Sequence, residues 1–376
     1  MEESEAKKRS NRKKIKKALI ESACFLAAGL IVTLLSRNVS GFSEWYAGHI
    51  FPAFPDTLGR LMSLFPFSVF EILIYALAVL TALYALYFLI IVIVPWWRGY
   101  VKRAASRALC FILLLATFCF MMMSLTCTVN YSRETFANLT DRQMTMAKKD
   151  GLFELCGLLI THLSELSEEL SADGSAPLSL SGVDLHKEAR EAMKRLSQDE
   201  KVLSGFYPNP KPVISSKWMS YLNITGIYSP FTMEANYNND IPDHYIPYII
   251  CHELAHLRGF IREDEAGFIA YLACRKSKSA EFRYSGAINA LTHALNAYRK
   301  EASVEEYAEL LSTLPAQVAR DFWVGRTYWK QFEGKVAEAA TMANDSYLKA
   351  NAQEDGVKSY GRMVGLLLAE YRIGDL

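Results

Sequence analysis

Two histidines four residues apart, with a glutamate beside the first, are the residues of this 376-residue sequence best arranged for chemistry: Cys251-His252-Glu253-Leu254-Ala255-His256-Leu257-Arg258-Gly259-Phe260. On a helix, positions i and i+4 stack one above the other, so both imidazoles can reach one divalent ion. Tyr248, Ile249, Leu254 and Leu257 supply a buried face for such a helix. Glu253 projects about 100° around the axis from His252. That is too far to join the ligand pair, but it suits a general base acting on a water at an open coordination position. The spacing is one that metal-assisted hydrolysis requires. A pair of core histidines is the plain alternative, and the acidic residues downstream weigh against it.

A hydrolytic zinc site needs three protein ligands and one open position. Gly259 stands where a helix can end in a left-handed cap and turn the chain back. The next helix would then begin in Glu263-Asp-Glu-Ala-Gly-Phe-Ile-Ala-Tyr-Leu-Ala273. Arg262 occupies the place of the third histidine of HExxHxxGxxH, which removes the metzincin arrangement. Glu265 is read as the third ligand. Glu263 and Asp264 compete with it, although acidic residues at a helix start commonly answer the helix dipole. The expected metal set is His252, His256 and Glu265 around one Zn2+. The remaining histidines, His49, His162, His186, His244 and His293, are read as ordinary.

The elements that must position these groups belong to a chain that is 51% hydrophobic and 12% aromatic, with a mean hydropathy of +0.07. That is more apolar than a soluble enzyme needs. Lys+Arg 41 against Asp+Glu 40 leaves a formal net charge of +1, so no overall field gathers nucleic acid, and none is expected as a partner. Seven cysteines without a CxxC pair argue against a disulfide-stapled scaffold and a zinc ribbon. Cys251 and Cys274 flank the site and are read as buried free thiols, a disulfide being the alternative.

Three apolar runs are each long enough to cross a hydrocarbon core of about 30 Å: residues 18–36, 72–95 and 108–129. The first follows a basic block, Lys7 to Lys17, and shares its outline with a signal peptide. It lacks a clear small-residue cleavage site, and more apolar runs follow it. Trp96, Trp97 and Arg98 close the second run as interface residues do. The basic block, together with Arg98, Lys102, Arg103 and Arg107, places the N-terminus and the second connection in the cytoplasm, since cationic flanks stay inside. The expected division is a basic cytoplasmic N-terminus (1–17), a membrane region (18–129) and an extracytoplasmic domain (130–376), in a multi-pass protein of the plasma membrane.

Within the outer region Leu152, Leu155, Leu158, Leu159 and Leu163 recur at helical spacing, predicting an amphipathic helix between Asp141 and Ala172. A polar loop (Ser171 to Gly182) and a helix over about Val183 to Leu203 follow. Beyond the breaker Tyr207-Pro-Asn-Pro-Lys-Pro212, three pieces read as a small sheet: 212–216, 221–225 and 226–237. Pro230 marks the last as an edge strand or a bulge. From Asp243 onward the pattern is helical again.

The pairing of HELAH with a downstream DEAGF resembles the gluzincin type of zinc metallopeptidase, which binds zinc through two His and one Glu. The whole chain is most similar to the bacterial membrane family called domain of unknown function 3810. That likeness rests on three N-terminal spans with SPFTMEAN (229–236), HELAHLRGFIREDEAGFIAYLAC (252–274), FRYSG (282–286), NDSYLKAN (344–351) and DGVKSYGRMV (355–364). The resemblance implies a zincin-like α+β metallopeptidase domain with no assigned substrate. In gluzincin-like sites a strand beside the metal pairs with the substrate backbone. Phe231 to Asn236 is placed in sequence to do so, with Asn236 holding a peptide amide or carbonyl or simply ending the strand. Tyr284 and Tyr360 are the candidate oxyanion donors, each also able to be structural.

The expectation is a mainly α membrane protein: three transmembrane helices, then an α-rich domain with a small sheet that hydrolyses peptide bonds of a peptide or protein substrate. Intramembrane proteolysis fits poorly, because Asp240, Pro242, Asp243, His244 and Pro247 precede the motif. A non-catalytic, zinc-stabilised sensor or scaffold is the alternative of a different class.

Overall fold

The computed structural model of the protein describes residues 2–144, 148–350 and 360–373. Helices of nine or more residues are α1 (Glu2–Asn38), α2 (Val69–Ile93), α3 (Val101–Thr126), α4 (Lys149–Glu169), α5 (Leu185–Asp199), α6 (Ile246–His256), α7 (Glu263–Arg275), α8 (Ala280–Glu301), α9 (Val304–Ser312), α10 (Ala316–Lys330), α11 (Lys335–Ala350) and α12 (Tyr360–Glu370). The strands are β1 (Lys211–Pro212), β2 (Gly226–Ser229) and β3 (Glu234–Tyr237).

Three helical stretches, Ser10–Asn38, Val69–Ile93 and Pro95–Ser132, are long and apolar enough to cross a membrane, and they mark the protein as membrane-associated. α1 and α3 begin earlier than their apolar runs. Lys, Arg, Glu and Ala are good helix formers, so the basic flanks continue the helix instead of breaking it. α1 packs along α3, and the Thr33 hydroxyl donates to that of Ser124 at 3.2 Å.

The rest of the chain is seated on the ends of these helices by buried carboxylates. Ser68 caps α2, its hydroxyl accepting from Glu71 N–H at 3.1 Å. Two more orphan N–H groups of the first turn, those of Val69 and Phe70, donate to the Glu234 carboxylate of β3 at 3.0 and 2.9 Å. Glu71 reaches the other way. It accepts from the N–H groups of Ile214 and Ser215 at 2.8 Å each, from the Ser215 hydroxyl at 2.7 Å and from Tyr75 at 2.6 Å. At the end of α3, Thr126 donates its hydroxyl to Pro230 C=O at 3.0 Å, and its own carbonyl accepts from the Tyr228 hydroxyl at 3.1 Å.

α4 buries Leu152, Leu155, Leu159 and Leu163, whereas Leu158 lies off that stripe and is 42% exposed. α4 packs on α8, and α6, α7, α8 and α12 form the helical core. The sheet is smaller than its sequence pattern predicts, with order β1-β3-β2. Of the 212–216 piece only Pro212 lies in a strand, paired together with Lys211, before the chain turns into a short helix, Ser216–Tyr221, where Glu71 holds the backbone of 214 and 215. Residues 221–225 form no strand. The 226–237 piece folds back on itself at Pro230 into the antiparallel hairpin β2–β3, so β3 is the central strand and β2 the edge. Proline has no N–H to give a ladder, which is why the strand breaks there.

Glu234→Ala would strand two N–H groups at the start of α2 and remove a charged, fully buried acceptor. A loss of about 3 kcal/mol is expected, readable as a lowered melting temperature of the detergent-solubilised protein.

Candidate metal centre

α6 carries the HExxH motif in a wholly buried helix. Pro247 occupies its first turn, where a missing N–H costs nothing. The Tyr248 N–H donates to the Ser285 hydroxyl at 3.1 Å, fixing the helix start against α8. At the other end Gly259 adopts φ 79°, the left-handed conformation expected of it, and its N–H donates to His256 C=O at 2.9 Å. The chain reverses within six residues and starts α7 beside α6.

The reversal brings Glu263 to the histidines. Its Oε2 lies 3.0 Å from His252 Nε2 and its Oε1 3.9 Å from His256 Nε2. Ligand atoms of His252, His256 and Glu263 all lie within 4.8 Å of one another, the spacing needed to hold one ion. His256 Nδ1 is 2.8 Å from Phe260 C=O. A carbonyl only accepts, so Nδ1 carries the proton and Nε2 presents its lone pair toward Glu263. This donor set, two imidazoles and one carboxylate, suits zinc.

Glu265, expected as the third ligand, faces elsewhere. Its Oε1 accepts from Phe136 N–H at 3.0 Å and from Arg262 Nη1 at 2.9 Å. Two residues apart on a helix is about 200° of rotation, so only one of Glu263 and Glu265 can point at α6. Arg262 also donates to the carbonyls of Tyr131 and Arg133. Glu265 and Arg262 thus clamp the segment leaving α3, and Glu263 is the acid that joins the two histidines.

Glu253 is 4% exposed, and among the described residues its Oε2 has no hydrogen-bond partner. Burial is the largest influence on its carboxyl, and with Glu263 adding to it against the opposing pull of His252 and the Tyr228 N–H, the group is pushed up to about 8. Burial, and then His252, push His256 down to about 4. At His252 burial pulls downward, but the Glu263 carboxylate outweighs it and holds the imidazole above its ordinary value. Gly226 at the head of β2 makes this packing achievable, because a Cβ there would lie 2.3 Å from Glu253 Oε1.

The other sequence-derived site residues are dispersed. The Tyr284 hydroxyl donates to Asp321 Oδ2 at 2.8 Å, in a buried network with Gln317 and the N–H of Leu178. That hydroxyl is spent in the core, joining α8 to α10, so it is no oxyanion donor. Tyr360 opens α12, and its side chain lies outside the described residues. Phe231 stacks on Phe70 with centroids 6.2 Å apart, at the foot of α2. Asn236 sits on the central strand, where Nδ2 donates to Ile227 C=O at 3.3 Å and Glu234 C=O at 3.5 Å. It braces the hairpin and has no free strand edge to offer. Cys251 and Cys274 are buried free thiols.

Other groups close on the site without a sequence signal of their own. The Tyr228 ring lies 6.0 Å from that of His256, and Cys127 Sγ is 3.2 Å from the Tyr347 hydroxyl of α11. His293 on α8 is held down at about 4 by burial and then by nearby His252. Gly226 within an apolar strand pattern was the one visible hint, since a strand glycine often marks close approach.

The family described as "Protein of unknown function (DUF3810)" matches residues 46–368. The chain belongs to the DUF3810 family. No curated protein and no solved structure matches it. In this DUF3810 protein the matched region runs from the segment after α1 into α12, and so includes α2, α3, the sheet and every residue of the candidate metal centre.

Glu263→Gln is expected to lower zinc stoichiometry, measured by elemental analysis of the purified protein, at least as much as His252→Ala. Glu265→Gln should keep the metal and lose stability. In metal-free protein, folded Glu253 holds its proton up to about 8, whereas the unfolded chain releases it near 4.5. Unfolding therefore releases a proton between those values, and the contribution of this carboxyl to stability falls as pH rises through them. Glu253→Gln should raise the melting temperature little near pH ~5 and progressively more toward pH ~9. An equal gain at both would show that burial does not hold the carboxyl protonated.

Proposed function

We propose that the protein is a membrane-anchored, zinc-dependent peptidase with a zincin-like domain on the extracytoplasmic side. The observation that carries this reading is the convergence of His252, His256 and Glu263 beside a buried Glu253 whose Oε2 lacks a partner among the described residues. The family match names no activity and is neutral between an enzyme and a binding protein.

His252, His256 and Glu263 would hold the ion, and a divalent ion there supplies Lewis acidity, polarising a carbonyl and making a water easier to deprotonate. Glu253 takes the proton from the attacking water at its carboxylate and returns it to the departing amine. Buried beside the two histidines, and with one oxygen unpartnered among the described residues, that carboxylate has a lone pair available for the water's proton. The Phe260 carbonyl fixes the His256 tautomer. α7, clamped through Glu265, fixes where Glu263 stands. The distribution of Lys and Arg orients α1 and α3 outward from the cytoplasm and α2 inward, which puts the domain on the outer face.

Glu253→Gln is the decisive variant. It should retain zinc while peptide turnover falls by about 10²–10⁴, the range for loss of a general acid–base group. Full turnover in the zinc-loaded variant would remove Glu253 from the mechanism. Zinc retention with no turnover in the wild type would favour a sensor or scaffold.

A further inference from the structure

The candidate centre lies against the end of a helix that crosses the membrane. Counting about twenty residues at 1.5 Å each from the cytoplasmic flanks gives each hydrocarbon exit. From Lys17 the count reaches Arg37, from Arg107 it reaches Cys127, and from Pro95 back along α2 it reaches Tyr75. Tyr75 bonds Glu71, which grips residues 214 and 215 of the domain. Thr126, one residue before the α3 exit, bonds both Tyr228 and Pro230. Among the described residues no stalk stands between these counted exits and the domain.

The domain's underside agrees with that placement. Leu64 is 76% exposed, and Ile214 and Trp218 are 71% exposed, with Phe65 and Phe67 beside them in the chain that enters α2. Glu71 ties Ile214 directly to the first turn of α2, so these side chains are continuous with the membrane-crossing surface. Apolar groups with an indole among them, at that height, match the interfacial belt of a bilayer.

The edge strand connects this surface to the metal centre. Asn238 N–H donates to Thr225 C=O at 2.9 Å. In an antiparallel ladder, 225, 227 and 229 then pair with β3, while Gly226 and Tyr228 turn their backbone groups to the open edge. The Tyr228 N–H faces Glu253 there. Ile227 is 36% exposed, whereas Tyr228 to Pro230 are buried under the end of α3. The open part of β2 is thus its half beside Glu253. A single tyrosine separates it from the membrane: Tyr228 touches Thr126 with its hydroxyl and lies 6.0 Å ring to ring from His256.

We infer that the site takes an extended segment of a polypeptide anchored in the same bilayer and cuts it close to the surface on which the domain sits; this rests on the peptidase reading. Tyr228 bridges the end of α3 and the metal centre through its 3.1 Å hydroxyl contact to Thr126 C=O and its 6.0 Å ring separation from His256, a span on the order of 12 Å, which at 3.3 Å per residue is about four residues between anchor and scissile bond. The shared chemistry is an extended backbone adjoining a membrane anchor. The anchor is either a transmembrane helix or a covalently attached acyl chain.

The test uses full-length, zinc-loaded protein in proteoliposomes with peptides of one cleavable sequence placed about 4 or about 25 residues from the anchor, a spacing set by the same estimate. Both peptides share the bilayer, so local concentration cancels. The near peptide should be cut at least tenfold faster, and helix-anchored and acylated versions reveal which anchor is accepted. A second readout needs no turnover. In Glu253→Gln protein, a photo-crosslinker replacing Ile227 should capture the near peptide in preference to the far one. Equal cutting and equal capture of near and far peptides would overturn the inference while leaving the peptidase reading intact. Spacing-dependent capture with no cutting by the wild type would sink the peptidase reading and leave the docking of anchored chains standing.

Discussion

A helix can turn only one of two side chains two residues apart toward a given neighbour, and the candidate centre depends on how α7 resolves that constraint. Glu263 faces the imidazoles of α6, and Glu265 faces the opposite way into the segment that leaves α3. The second contact makes the first reliable. With Glu265 and Arg262 fixing Phe136, Tyr131 and Arg133, α7 has no freedom to rotate about its axis, and Glu263 is held within reach of both histidines. One carboxylate thus holds the frame so that the other can hold an ion.

The same division of labour recurs where the domain meets the membrane-crossing helices. Glu234 and Glu71 are buried acids that hold structure, each satisfied by several N–H or O–H donors. Buried charges are tolerated only when so paired, because an unsatisfied one costs several kcal/mol. Glu253 differs in where it stands: beside the two histidines, its Oε2 has no partner among the described residues, and burial raises its carboxyl to about 8. That oxygen stands short of donors where two histidines and a second carboxylate converge, the kind of environment in which a proton-transfer group is found.

The helix bearing His252, Glu253 and His256 was legible in sequence, as were the turn at Gly259 and the start of α7, because each follows from local spacing and one permissive residue. The apolar helices were equally legible, since about twenty apolar residues have few other fates. The sheet was less so. Pro230 signalled an interruption, but that β3 would lie between two neighbours depends on β1, which joins it from far along the chain.

What the sequence alone determined is therefore the set of groups able to do chemistry and the helices carrying them, both products of short-range geometry. Which acid completes the set was decided by tertiary structure, through a hydrogen bond between residues 129 apart in sequence that turns Glu265 away. Tyr284 lost its expected role the same way, to an aspartate on another helix. The seating of the sheet on α2, made by contacts 165 and 164 residues apart, puts the site beside the membrane-crossing helices. Side-chain spacing along one helix is fixed by its own turn. The direction in which that helix faces is fixed only by what it packs against.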